Sequence, residues 1–207
     1  SSCATLGESA FSSCNSLTSV GNTSLLTTIN NSTFSGCSSL ESIDLSNSTS
    51  IGDNAFSSCS KLQSIDLAKC KYIGMSAFNS CISLNAIKNM TLLTIIPNSA
   101  FSGCTSLKEI DLSNCTTIGD SAFWGCNNLN IIKGIEQFTT IPNGAFSSTA
   151  IESLSLPICT NISNYAFDGC KNLKTIDLPK CETIGAKAFS DCINLATVNL
   201  PVCKSIE

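Results

Sequence analysis

The chain has 207 residues, a formal net charge of −4, no histidine and only 13% charged residues. The lack of histidine removes the commonest general base and metal ligand, and eleven scattered basic residues do not make the basic face that nucleic-acid binding needs. No run of 18 apolar residues is present, so we expect no membrane-spanning segment. The chain does not begin with the apolar stretch and basic flank of a signal peptide.

A phenylalanine recurs at intervals of 21 to 23 residues along the whole chain. A fixed period of this length indicates one structural unit that stacks on copies of itself, rather than a compact domain with an active-site cleft. The nine positions are Phe11, Phe34, Phe56, Phe78, Phe101, Phe123, Phe146, Phe167 and Phe189.

Most repeats contain the pattern L-x-x-I-x-L or a close variant of it, as in Leu62 to Leu67. The alternation at the end of this pattern predicts a short strand with one face buried and one face exposed. Because each coil is too short for a crossover helix of several turns, we expect one strand per coil, stacked in parallel on its neighbours. About nine coils, spaced roughly 4.8 Å apart, predict a rod on the order of 45 Å long.

The segment around each phenylalanine predicts a different local structure. Glycine or proline often stands four residues before it and Asp or Asn three before it, as in Gly119-Asp120-Ser121-Ala122-Phe123. A backbone breaker followed by a capping side chain and A-F-x-x-C predicts a single helical turn, α or 3₁₀, on the side opposite the strand. The sequence alone thus predicts an α/β repeat with one short parallel strand and one short helical turn per coil.

The fourteen cysteines occupy two slots of the repeat. Where the second slot lacks cysteine it holds Leu26, Ser48, Leu93 or Phe138, and leucine and phenylalanine are replacements typical of a buried apolar slot. Equivalent residues of stacked coils have parallel Cβ vectors, which opposes disulfide bonds. We therefore expect reduced, mostly buried thiols. The alternative is a metal site or redox chain, but zinc sites favour C-x-x-C pairs and histidine, and this chain has neither. The first slot contains Cys14, Cys37, Cys59, Cys81, Cys104, Cys126, Cys170 and Cys192, and the second contains Cys3, Cys70, Cys115, Cys159, Cys181 and Cys203.

Two features are candidates for recognition. Alternation turns the residue between the last two apolar positions of each strand outward, and stacking aligns these residues in a polar row, which we call the stripe. The stripe either contacts a ligand or is a solvated edge that prevents self-association of the sheet. The second candidate is Trp124, whose slot is serine in most other coils; it is either a partner contact or a chance substitution. The candidate binding residues of the stripe are Asp44, Asp66, Lys88, Asp111, Lys133 and Asp177.

The motif A-F-x-x-C-x-x-L-x-x-I-x-L, as in Ala100 to Leu112 (AFSGCTSLKEIDL), resembles the BspA-like, or Treponema-type, leucine-rich repeats. The resemblance covers essentially the whole chain. It implies a right-handed leucine-rich-repeat solenoid and a surface or secreted protein of oral or gut bacteria or of parasitic protists. It also implies adhesion to other cells or to host matrix proteins such as fibronectin and fibrinogen. The family has no shared catalytic residues. Many members carry a proline directly after the strand leucine, and in this chain only Pro157, Pro179 and Pro201 have that position.

We expect residues 1–207 to form one solenoid domain and to be a fragment of a longer protein, because both ends fall inside a repeat without an atypical polar cap. The carboxylates recur by repeat slot, and neither G-x-S-x-G nor a glycine-rich phosphate loop is present, so we expect no enzyme, no metal and no cofactor. Three functions are considered: a protein-binding module of a cell-surface or secreted protein, a structural spacer that displays another domain, and a non-catalytic appendage of a hydrolase.

Overall fold

The computed structural model describes residues 4–207, whose sixteen short strands fall into two parallel ladders. The three-residue strands of the L-x-x-I-x-L pattern form the A ladder, and two-residue strands on the next side of the coil form the B ladder. The A ladder consists of β3 (Ser64–Asp66), β5 (Ala86–Lys88), β7 (Glu109–Asp111), β9 (Ile131–Lys133), β11 (Ser153–Ser155), β13 (Thr175–Asp177) and β15 (Thr197–Asn199). The B ladder consists of β1 (Thr28–Ile29), β2 (Ser50–Ile51), β4 (Tyr72–Ile73), β6 (Ile95–Ile96), β8 (Thr117–Ile118), β10 (Thr140–Ile141), β12 (Asn161–Ile162), β14 (Thr183–Ile184) and β16 (Ser205–Ile206).

The predicted A strands are confirmed, but the expectation of one strand per coil is wrong. Except for the terminal β16, each B strand is an outward residue followed by a buried isoleucine, as in Ser50–Ile51. Such a pair is too short to show any alternation in the sequence. Backbone bonds between coils hold the B strands together; the Gly74 N–H, for example, donates to the Ile51 carbonyl at 2.8 Å.

The predicted helical turn around each phenylalanine is not found. The only helix in residues 4–207 is a 3₁₀ helix at Ile135–Gln137, which lies between the two ladders. Around Phe56 the backbone instead makes successive turns, because Asn54 and Ser58 adopt left-handed φ angles of 53° and 62°. The N–H groups of Asn54, Phe56 and Ser58 donate to carbonyls of the next coil, so they are not available for a helix. We call this part of each coil the turn segment.

A continuous stack of phenylalanine rings forms the core of the solenoid. Each of the nine rings lies parallel to its neighbours, with centroid distances from 5.3 to 5.8 Å. The rings from Phe34 to Phe167 are fully buried. From Phe11 to Phe189 the chain makes eight full turns, so the solenoid has about eight turns rather than the expected nine.

Gly119, which lies just before a turn segment, is required there by close packing between coils. The Asn98 side-chain Oδ1 accepts the Asp120 backbone N–H of the next coil at 2.9 Å. This contact brings Asn98 so close to Gly119 that a Cβ atom on Gly119 would lie 2.4 Å from the Asn98 backbone nitrogen and from its Oδ1. The Asp and Asn residues one position after the glycine, such as Asn98 and Asp120, therefore link neighbouring coils rather than cap a helix.

We predict that Gly119→Ala lowers the free energy of unfolding by about 1–3 kcal/mol, because backbone atoms must move to admit the methyl group. Gly21→Ala is the matched control, since a Cβ atom there meets nothing within 4 Å. The control should leave stability unchanged or raise it slightly, because alanine restricts the unfolded chain more than glycine does. Urea unfolding followed by circular dichroism measures both changes. Equal midpoints for the two variants would disprove the packing argument.

The cysteine slots are core positions. The thirteen cysteines that the structure describes are free thiols, and all of them except Cys14 and Cys203 are buried; Cys3 lies outside the described residues. In the first slot the thiol donates to a phenylalanine carbonyl of the preceding coil, as from Cys59 Sγ to the Phe34 oxygen at 3.1 Å. Burial raises the pKa of Cys59 to about 12. These thiols therefore act as small apolar side chains that also satisfy a backbone acceptor.

Candidate binding surface

The stripe lies on the outer face of the A ladder, as the alternation predicted. Asp44, Lys88, Asp111, Lys133 and Asp177 are exposed, and Asp66 is half-buried. Strand register places opposite charges side by side, with Asp66 opposite Lys88 and Asp111 opposite Lys133. Within residues 4–207, the ion pairs shorter than 4.0 Å are Lys174–Glu152 and Lys204–Glu182, and both lie outside the stripe.

The aspartates of the stripe also have a structural role. One carboxylate oxygen of Asp44, Asp66 and Asp111 accepts the backbone N–H two residues later, at 2.9 to 3.0 Å. The side chain and backbone of Ser113 donate to Asp111 and, with the nearby Lys133 ammonium, hold the pKa of Asp111 below its ordinary value. These three aspartates each fix the turn that follows them, so an aspartate at this slot does not by itself indicate a ligand.

Trp124 lies on a different part of the coil from the stripe. It follows the core residue Phe123 in the turn segment, and 53% of its surface is exposed. The same slot holds the buried Ser102 and Ser147 in the neighbouring coils. The predicted binding residues are therefore divided between two segments, and the structure does not bring Trp124 into the row of charged residues.

Both ladders are interrupted at two places that the sequence interpretation missed. At the first break β5 pairs with β3 but not with β7, and β6 pairs with β8 but not with β4. At the second break β9 pairs with β7 but not with β11, and β10 pairs with β12 but not with β8. The turn segments continue across both breaks, and the stacked pair Phe78–Phe101 keeps a centroid distance of 5.5 Å.

A one-residue insertion and a proline explain each break. Nine positions separate Ile87 from Ile96, whereas eight separate Ile65 from Ile73. Pro97 and Pro142 occupy, in their own coils, the position that Gly74 has in its coil. The Gly74 N–H donates to the preceding coil, whereas proline has no N–H to donate. The signals that could have revealed the breaks are the 23-residue spacings, these two prolines, and the Leu93 and Phe138 that replace cysteine.

The breaks open cavities on both ladders. A cavity of about 290 Å³ lies on the A ladder at the first break, between Ile87 and Ile110. A groove of about 440 Å³ lies on the B ladder at the second break, beside Ile118 and Phe138. A further groove of about 400 Å³ lies beside Thr149, in the coil that is one residue short. The three departures from the 22-residue period between Phe78 and Phe167 therefore lie beside concave surface, and a further cavity of about 320 Å³ lies over the regular strands β12 and β14.

No group of three or more His, Cys, Asp or Glu side chains in residues 4–207 is arranged to hold a metal ion. The same part of the chain contains no helix with the length and apolar character needed to cross a membrane.

Comparison with known proteins identifies the repeat. The BspA type leucine rich repeat region matches residues 1–108 and 94–207, in six copies. No curated protein sequence is significantly similar to the chain. The fold is similar to that of a leucine-rich repeat protein from Bacteroides ovatus, with a TM-score of 0.69 and 22% identity over 98% of this chain and 77% of that one.

Two other solved structures share this fold. One is a leucine rich cell surface protein from Faecalibacterium prausnitzii, with a TM-score of 0.64 and 22% identity over 95% of this chain. The chain spans only 65% of that protein's chain. The other is the leucine-rich repeat protein of T. pallidum, with a TM-score of 0.62 and 28% identity over 82% of this chain and 72% of that one. Because the repeat region matches along the whole length and the solenoid agrees with these structures, the chain belongs to the BspA-type leucine-rich repeat family.

Proposed function

We propose that this chain is a non-enzymatic protein-binding module that contacts its ligand through the outer face of the A ladder. The observation that carries the proposal is the alignment of exposed, oppositely charged residues on successive strands, such as Asp111 beside Lys133. Solenoids commonly use such extended surfaces for partners. Each coil offers one or two polar groups, so binding is weak per coil and accumulates along the rod.

The ligand that we propose is a host matrix protein such as fibronectin or fibrinogen, or a protein on another cell. The chain would then act as part of a longer cell-surface or secreted adhesin. Membership of the BspA-type family and similarity to a leucine rich cell surface protein of Faecalibacterium prausnitzii support this location. Trp124 is a second candidate contact, on the turn segment.

A structural spacer is the alternative that a specific observation favours. The carboxylates of Asp44, Asp66 and Asp111 fix the turns after their strands, which is a sufficient reason for their recurrence in the repeat. In that case the rod holds another domain, for example that of a hydrolase, away from the cell surface.

We predict that the double change Lys88→Gln and Lys133→Gln weakens binding to immobilised fibronectin or fibrinogen by about threefold to tenfold. These lysines suit the test because, unlike the aspartates, they make no turn-fixing hydrogen bond within the described residues. The loss of affinity should come mainly from slower association. The affinity that remains should depend less on salt concentration. Surface plasmon resonance at two salt concentrations measures both quantities.

Trp124→Ser is the matched control, because serine is the residue of the neighbouring coils at that slot. Binding that survives the lysine changes but is lost in Trp124→Ser would place the partner on the turn segment. If the parent chain binds neither matrix protein, adhesion to these ligands is wrong and the spacer is favoured.

A further inference from the structure

The cavity on the A ladder at the first break exposes side chains that are core residues elsewhere. Ile87 is half-buried, whereas Ile65 and Ile110 in the same slot of neighbouring coils are only 1% and 3% exposed. The difference arises because β5 has no paired strand on the β7 side. Ile87, with the nearly buried Met90 and Ile110 beneath it, forms an apolar patch in a cavity whose remaining lining is polar. We call this cavity the break pocket.

The walls of the break pocket are held by hydrogen bonds. Asn89 adopts a left-handed φ of 56°, and its side-chain amide donates to both carboxylate oxygens of Asp66 at 3.0 Å. On the other side, the Ser113 N–H donates to Asp111 Oδ1 at 3.0 Å. A pocket that is already ordered costs a ligand little conformational entropy.

The rim of the break pocket has unequal charge. Glu109 and Asp111 contribute two carboxylates, and Lys133, which lies opposite Asp111 in the strand register, contributes one ammonium group. Glu109 forms no ion pair shorter than 4.0 Å within residues 4–207. The rim therefore favours a cation beside the apolar lining.

We propose that the break pocket anchors a protein partner through one bulky apolar side chain with an adjacent lysine or arginine. A volume of about 290 Å³ suits a single side chain, because pockets for drug-sized ligands are roughly 300–1,000 Å³. The apolar side chain displaces water from Ile87 and packs beside Ile110, and the cationic neighbour pairs with Glu109. This inference rests on the proposed binding role of the A ladder and names the point on it that contributes most.

The first test uses the dipeptide acetyl-Phe-Arg-amide as a probe and methyl NMR of the isoleucines as the readout. We expect millimolar binding that shifts the Ile87 and Ile110 methyl signals. Acetyl-Phe-Glu-amide and acetyl-Ala-Arg-amide, which each lack one element of the motif, should bind at least about threefold more weakly. Absence of shifts at Ile87 and Ile110 with acetyl-Phe-Arg-amide would overturn the proposal.

Two variants locate the site. Thr91→Trp fills the mouth of the pocket from an exposed position, and Ser24→Trp is its control, because Ser24 has the equivalent place in the first coil with the same insertion. Thr91→Trp should abolish the shifts, and Ser24→Trp should not. Glu109→Gln, a surface change that preserves shape, should weaken acetyl-Phe-Arg-amide about threefold and leave acetyl-Phe-Glu-amide no weaker. Unchanged binding in Thr91→Trp would place the dipeptide elsewhere and sink the proposal.

Failure of this inference and failure of the proposed function are distinguishable. If fibronectin or fibrinogen binding falls in the Lys88→Gln, Lys133→Gln variant but not in Thr91→Trp, the A ladder binds the partner and the break pocket is not its anchor. If the dipeptide occupies the pocket while neither matrix protein binds, the pocket is confirmed and adhesion to those two proteins is wrong.

Discussion

Replacing Phe101 by alanine is expected to lower the free energy of unfolding by roughly 3–5 kcal/mol, because the ring is fully buried and the stack cannot close over the cavity. The ring lies 5.5 Å from Phe78 and 5.8 Å from Phe123, measured between centroids, so the change removes two stacking contacts. Chemical denaturation followed by circular dichroism measures the loss.

Phe11→Ala is the matched control for Phe101→Ala. Phe11 is half-buried and stacks on Phe34 alone among the described rings, so its loss should cost less. Hydrogen exchange should show lost protection near the altered coil in each variant, because each coil contacts only its neighbours. A uniform loss of protection along the whole solenoid would contradict this nearest-neighbour behaviour.

Stability should fall steeply between pH 8 and pH 10. Burial raises the pKa of Cys59 and Cys126 from 9.0 to about 12, and it raises those of Cys81 and Cys104 well above 9.0. Above pH 9 the thiols of the unfolded chain lose their protons while these four keep theirs. The unfolded chain then binds fewer protons, so the free energy of unfolding decreases as pH rises. Each of these thiols contributes on the order of 1 kcal/mol at pH 10, so the four together account for several kcal/mol.

Urea unfolding at pH 8 and pH 10, with reductant present, measures the alkaline loss. Cys104→Ala should reduce the difference between the two pH values by on the order of 1 kcal/mol, because one buried thiol no longer titrates on unfolding. Leu93→Ala is the control, because it removes a buried side chain that does not ionise, and it should lower stability equally at both pH values. If parent and Cys104→Ala lose the same stability, the buried thiols are not the cause.

Much of the solenoid could be predicted because its core repeats in the sequence. The phenylalanine spacing gave the coil length, the L-x-x-I-x-L pattern gave the A strands, and the two cysteine slots gave buried thiols. All three signals come from side chains that must be apolar to be buried, and this requirement recurs in every coil.

Two failures of the sequence prediction, the helical turn that does not form and the B strands that were not predicted, have a common physical reason. Both depend on where backbone N–H groups donate, and this is decided by the neighbouring coil rather than by local sequence. Phe56 donates to Ala77 in the next coil, so a segment with helix-like capping residues forms linked turns. The B strand is a pair such as Thr117–Ile118, which becomes a strand only because another coil lies beside it.

The candidate site was predictable only in part. Alternation correctly placed Asp111 and Lys133 on the surface, but the turn-fixing bond from Ser113 to Asp111 depends on a backbone geometry that the pattern does not specify. The breaks did leave traces in the sequence. Pro97 in a glycine slot and a 23-residue interval are visible there, but their effect on strand pairing emerges only when coils are stacked.

The two breaks also determine how the rod responds to mechanical load. Between regular coils, bending that separates the B strands must stretch backbone hydrogen bonds such as that from Gly119 to Ile96. Between β4 and β6, and between β8 and β10, no strand pairing opposes the same movement. The unbroken phenylalanine stack in the core keeps the coils attached across both breaks and serves as a pivot. A sideways force should therefore bend the rod at these two joints, which divide it into three stiff blocks.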